Sequence, residues 1–224
     1  MDFAKNFTVP RQREVQYAFF CRQSVTLHPV VCYFQCPQGC GNLLCDEVMM
    51  MSSDTKHDAH CVKAFQNQAL VHLKNTYNFE PKKLIAFTDN CGYEYKCHQA
   101  FAYLARSHLR QEKHFFGAGH GKGPGDASVG RLKGELDLAI RGKKADIQGV
   151  ADAVKYCQEH LTSAPLPPDM CAHRARHFYL VDKINRDFVS PYDTVPGTMS
   201  FHCVKNMEES SVSLVVRYSS CFCR

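Results

Sequence analysis

Apolar and polar residues change period several times along this chain, and each change marks an element. Residues 24–35 (SVTLHPVVCYFQ) are dense in β-branched and aromatic side chains, the composition of a strand. Residues 36–42 (CPQGCGN) gather Pro37, Gly39, Gly41 and Asn42, all turn formers. Residues 43–51 (LLCDEVMMM) return to a strand composition, so 24–51 reads as a hairpin. SSDT then supplies helix N-cap residues. Beyond it Ala59, Val62, Phe65, Ala69, Leu70 and Leu73 recur at helical spacing, which predicts an amphipathic helix over 57–76. KKLIAFTDN is a brief apolar run with helical patterns on either side, the mark of a buried parallel strand, and Asp89 stands at its carboxyl end.

Residues 94–110 read as a helix with Phe101, Leu104 and Leu109 inward. HFFGAG follows as a short strand and HGKGPGD as a glycine-rich turn. A helix over 127–141 carries Val129, Leu132, Leu136 and Ile140 on one face, and another is expected over 146–161. The opening MDFAKNF reads as the end of a strand whose beginning is missing. The order is strand, hairpin, helix, strand, helix, strand, helix, helix. That order predicts an α/β fold, a mixed sheet with helices on both faces, wired like an RNase H-like domain. From about residue 162 the character changes. SAPLPPD, with Pro165, Pro167 and Pro168, reads as a linker over 162–170. HFYLVDKI, GTMSFHCV and SVSLVVRY then predict a small β-rich module over 171–224, distinct from the core over 1–161.

Composition narrows the class. The 224 residues suffice for one domain of moderate size with a small appendage. A 45% hydrophobic and 22% charged content excludes wholesale disorder. No stretch reaches the roughly 18 apolar residues of a membrane span, and MDFAKNF has no apolar signal-peptide core. The expected location is therefore nuclear or cytoplasmic, without secretion. There the odd count of 13 cysteines reads as reduced thiols. The net charge of +5 allows a polyanionic partner without demanding one.

The carboxylates carry the candidate chemistry. Asp89 closes a strand, Asp126 opens a helix just after one, and Asp2 lies in the first strand. Ligands in open α/β sheets sit beyond the carboxyl ends of strands. Phosphodiester cleavage needs an attacking and a leaving oxygen stabilised together, which two divalent ions about 3.5–4 Å apart accomplish. A few Asp residues are enough to hold Mg²⁺ or Mn²⁺. The plain alternative is a turn-forming Asp89 and a helix-capping Asp126.

MDFAKNF, VTLHPVVCYF, DTKHDAHCV, FTDNCGYEYK, FFGAGHGKGPGD, GTMSFHCV and SCFC together resemble a group of transposase-derived animal proteins with an RNase H-like DDE/D core. The resemblance runs over nearly the whole chain. It implies that Asp2, Asp89 and Asp126 form the metal triad, with Asp2 bridging two ions. Departures are Lys5 where an acid is expected, Asn90 and Gly92 in the TDG-like string, and Gly125-Asp126-Ala127-Ser128 in the last. The chain reads as cut at both ends, which favours a fragment, a decayed copy or a domesticated protein.

Other residues extend the picture. His120 and Lys122, in the glycine-rich turn, are candidate phosphate contacts, and Lys96 a candidate nucleic-acid contact. Cys36, Cys40 and Cys45 form a candidate zinc set. The leading expectation is a polynucleotidyl transferase or nuclease acting on DNA, with homodimerisation allowed. The alternatives are a catalytically inactive domesticated protein that binds nucleic acid or protein, and a zinc-stabilised interaction module.

Overall fold

The computed structural model describes residues 1, 3–10, 23–117, 123–164, 170–207 and 213–220. In chain order its elements are β1 (Phe7–Thr8), β2 (Ser24–Gln35), β3 (Leu43–Ser52), α1 (Ala59–Tyr77), β4 (Lys83–Thr88), α2 (His98–Ala105), β5 (Arg110–Phe115), α3 (Pro124–Arg141), α4 (Val150–His160), β6 (Arg174–Leu180), β7 (Cys203–Asn206) and β8 (Leu214–Arg217). They form a mixed α/β protein of two compact units. One comprises residues 2–55 and 123–183, the other residue 1 with 56–122 and 184–224.

The first unit is built on the predicted hairpin. β2 and β3 pair antiparallel from Thr26↔Ser52 to Gln35↔Leu43, and β1 pairs antiparallel with β2. β6 joins the far side of β3 in parallel, from Cys45↔Arg174 to Met51↔Leu180, giving the order β1-β2-β3-β6. Strand side chains alternate between faces. Val25 and Leu27, Met49 and Met51, and Phe178 thus join one core with Val129, Leu132, Leu136 and Ile140 of α3. Val150, Ala153, Val154 and Cys157 of α4 complete that core. The first turn of α3 comes close to β2, since a Cβ at Gly125 would lie 3.2 Å from Pro29 Cγ.

Glu47 shares the helix-facing side of β3 with Met49 and Met51 and is buried. Its carboxylate accepts from the Ser128 hydroxyl at 2.8 Å and from Arg131 at 3.1 Å, both on α3. Arg176 on β6 donates to it at 3.3 Å. One acid therefore ties two strands and a helix together.

The second unit has the order β4-β5-β7-β8. β4 and β5 run parallel, joined by the α2 crossover, and β7 and β8 add antiparallel. The Met1 amino group donates to the Phe87 carbonyl of β4 at 2.8 Å. α1 starts later than the SSDT signal suggests. Its N-cap is Asp58, whose carboxylate accepts from the His60 and Cys61 amides and from Arg186 Nε at 2.8 Å.

Two expectations need correction. The helix expected over 94–110 is limited to His98–Ala105, and β5 begins at Arg110 rather than at the HFFGAG run. Gln111, Glu112, Lys113 and His114 are polar yet buried, so the strand lacks an apolar signature. Gln111 is satisfied by Gln66 and Asn206, and Glu112 by Lys83 and His114. The second correction concerns residues 171–224, which make no separate module. β6 completes the first sheet, while β7 and β8 extend the second, because strand edges left open there supply hydrogen-bonding partners that a module of this size lacks.

Burial by itself raises the Glu47 carboxyl. The Ser128 hydroxyl and the Arg176 and Arg131 guanidiniums outweigh burial and hold it below the usual glutamate range. A depressed folded-state pKa stabilises the fold above the unfolded value of about 4.3, and that contribution is lost as pH falls through the lower folded-state value. Glu47→Gln is therefore expected to lower the unfolding free energy at neutral pH by about 1–3 kcal/mol. Urea denaturation measures this, and the variant's stability should also fall less steeply than wild type below about pH 4. Parallel pH profiles for the two proteins would contradict the assignment.

Candidate functional site

Asp89 follows β4 directly and is half-buried. Its Oδ1 accepts the Cys91 amide, as in an Asx turn. The Asn90 side-chain oxygen beside it is buried with no hydrogen-bond partner among the described residues. Asp126 occupies the first turn of α3 and is exposed. Its Oδ2 accepts the Gly123 amide at 3.1 Å, so it satisfies one of the free N–H groups at the helix start. Asp89 and Asp126 belong to different units. Asp2, His120 and Lys122 lie outside the described residues.

Lys96 is corrected as a nucleic-acid contact. It is buried, its ammonium donating to the carbonyls of Phe201 and Met199 and lying 4.6 Å from the centre of the Phe115 ring. A lysine committed to internal carbonyls cannot also meet a strand in solvent.

The cysteine set is partly corrected. Cys36 and Cys40 come together, but with Cys171 and His173 rather than Cys45. The ligand atoms of these four residues all lie within 4.8 Å of one another. Cys45 lies within β3, where its backbone amide donates to the His173 carbonyl at 2.9 Å. The turn bearing Cys36 and Cys40 closes with Cys36 N donating to Asn42 O at 2.9 Å and Gly39 N to Cys36 O at 3.0 Å. Gly39 and Gly41 both take left-handed backbone, φ 73° and 80°, which a side chain would oppose. Cys40 Sγ lies 3.2 Å from His173 Nε2, and the Cys171 thiol donates to Gln38 at 2.7 Å. The Asn42 backbone hydrogen bond, then His173, draw the Cys40 thiol down to about 6. Desolvation and the neighbouring thiols push Cys171 up to about 11.

Two further groups escaped the sequence reading, because LLCDEVMMM scans as a simple strand run and β5 carries no strand signature at all. Asp46, fully buried, accepts from or donates to His177 Nδ1 at 3.0 Å according to the protonation of each, on the face of β3 opposite Glu47. In the second unit Glu112, His114 and Cys203 cluster in the interior. Glu112 is already neutralised by Lys83 at 2.8 Å, so this cluster is complete without a cation. Cys171-x-His173 had one usable signal, two ligand-type residues two apart at the head of an alternating run. Period-2 spacing puts both on one face of an extended chain.

Asp126→Ala should destabilise α3 by about 1 kcal/mol through the lost cap. Thermal melting reads this as a lowered Tm, with Asp126→Asn intermediate. A Tm equal to wild type in Asp126→Ala would show that the carboxylate contributes nothing as a cap.

Among the described residues no helix is long and apolar enough to cross a membrane. No curated protein and no solved structure matches the chain. A family model described as "Domain of unknown function (DUF8701)" matches residues 1–219, and the chain belongs to that family.

Proposed function

We propose that the chain is an RNase H-like core of the polynucleotidyl transferase or nuclease type, acting on DNA phosphodiesters. The observation that carries this reading is Asp89 at the carboxyl end of β4, with the unpartnered, buried Asn90 oxygen next to it. β4 belongs to a parallel β-α-β crossover, and the carboxyl end of such a strand is where α/β sheets place their ligands. Hard divalent cations take oxygen donors of this type, from carboxylates and side-chain amides. Among the described residues only one Asp89 oxygen is used, by the Cys91 amide, so the other remains for a cation. The chain order, antiparallel β1-β2-β3 followed by parallel β4 and β5, is the one expected of RNase H-like wiring, although these strands lie in two sheets rather than the single mixed sheet expected.

Mg²⁺ or Mn²⁺ would supply charge stabilisation for the attacking and leaving oxygens. The resemblance adds Asp2 and Asp126 as ligands. Asp89 would hold its cation rigidly, because its backbone continues a hydrogen-bonded strand and its own Oδ1 is fixed on Cys91. A second reading, a non-enzymatic domesticated protein, is favoured by the use of both described acids as backbone caps.

A Mn²⁺-dependent nicking assay on supercoiled DNA distinguishes them. The nuclease reading expects wild-type nicking that falls at least about 100-fold in Asp89→Asn, with an unchanged melting curve. Equal nicking by both proteins, or none by the wild type, favours the binding protein.

A further inference from the structure

Cys36, Cys40, Cys171 and His173 belong to no part of the phosphodiester chemistry. They sit where three chain segments meet at one end of the first unit's sheet. β2 runs toward that end, β3 leaves it, and β6, parallel to β3, also starts there. Cys36 is the first residue after β2, and Cys40 lies in the same turn three residues before β3. His173 immediately precedes β6 and Cys171 lies three residues before it. The backbone bond from Cys45 N to His173 O continues the β3–β6 pairing and fixes His173 beside the turn.

We propose that Cys36, Cys40, Cys171 and His173 bind one Zn²⁺ ion as a closed, tetrahedral S₃N site that clamps the β2–β3 turn to the start of β6. The donor set selects the ion. Three thiolates and an imidazole are soft and borderline ligands, suited to zinc and unsuited to Mg²⁺ or Ca²⁺. Zn–S bonds of about 2.3 Å in a tetrahedron put sulfur atoms about 3.8 Å apart. The four ligand atoms, all within 4.8 Å of one another, need only a small contraction to reach that geometry.

Spacing and surroundings agree. Cys36-x₃-Cys40 falls within the usual range for the first half of a structural zinc site. The left-handed glycines Gly39 and Gly41 let the turn curl so that both its thiols face one point. Cys171-x-His173 supplies the second half from one face of an extended segment. Asn42 Nδ2, 3.7 Å from Cys40 Sγ, and the Gln38 amide beside Cys171, turned to present its N–H once that thiol has lost its proton, are outer partners that orient the sulfurs. With four protein ligands no position is left for water or substrate, so the ion's role is structural. Binding displaces the thiol protons and joins segments about 130 residues apart in the chain, and because the unfolded chain holds no such site, the binding free energy adds to the stability of the fold. The inference is independent of whether the chain cuts DNA.

The test is metal analysis of the full chain, expressed with zinc and purified with reductant. One zinc per chain is expected, released by a mercurial that titrates thiols. Replacement by Co²⁺ should give the strong visible bands of a tetrahedral site and a near-ultraviolet thiolate-to-metal transition. Cys40→Ser and Cys171→Ser should each lose the zinc on dialysis against a weak chelator. His173→Cys should keep it, with a shifted cobalt spectrum, and Cys45→Ser should match wild type. A wild-type protein that takes up no zinc, or whose cobalt form lacks the thiolate transition, overturns the proposal even if the variants fail to fold. Undiminished zinc in Cys40→Ser and Cys171→Ser overturns it equally.

Discussion

The parallel pairing of β6 along β3 is the constraint on which the first unit depends. β3 is hydrogen-bonded on both sides, to β2 and to β6, and it carries two acids in succession. Period 2 sends Asp46 and Glu47 to opposite faces of the sheet. Burying a carboxylate is costly unless it is paired and hydrogen-bonded. The register supplies the partners, with His177 for Asp46 and Arg176 for Glu47, and Ser128 and Arg131 complete the set from α3. A slip of one residue would exchange the faces and strand both acids. The acids thus specify the register of the sheet alongside its apolar side chains.

The same register brings the cysteine cluster together. Because Cys45 pairs with Arg174, the residues before Arg174 must lie beside the β2–β3 turn. Sequence places Cys171 and His173 there, and the turn offers Cys36 and Cys40. A metal at that end would act on the strand order itself, holding in place the one parallel addition that no short connection enforces.

The second unit shows a different economy. Its internal strand β5 is built largely of polar residues, and its buried amide and acid have partners: Gln111 with Gln66 and Asn206, Glu112 with Lys83. Lys113 is wholly enclosed, and desolvation draws its ammonium down to about 8. Satisfied polar networks of this kind favour one arrangement over its competitors, because any shift leaves buried groups unpaired. Against that rigid strand, β4 presents Asp89 at its carboxyl end.

Local patterns alone specified much of this protein. The hairpin over 24–51 was legible because a β-branched run, a turn with two glycines and a second run occur in succession. α1, α3 and α4 were legible because their apolar residues keep helical spacing. Asp89 at a strand end and the pair Cys36 and Cys40 were legible for the same reason, since each depends on neighbours in the chain. Tertiary structure alone decided what depends on partners far away. β5 hides in a polar run because Gln111 and Glu112 are satisfied by Gln66, Asn206 and Lys83. The strands after residue 171 enter two existing sheets because those sheets offer open edges. Cys171 and His173, rather than Cys45, join the cysteine turn because strand pairing, a contact between segments about 130 residues apart, leaves no periodic trace in either segment.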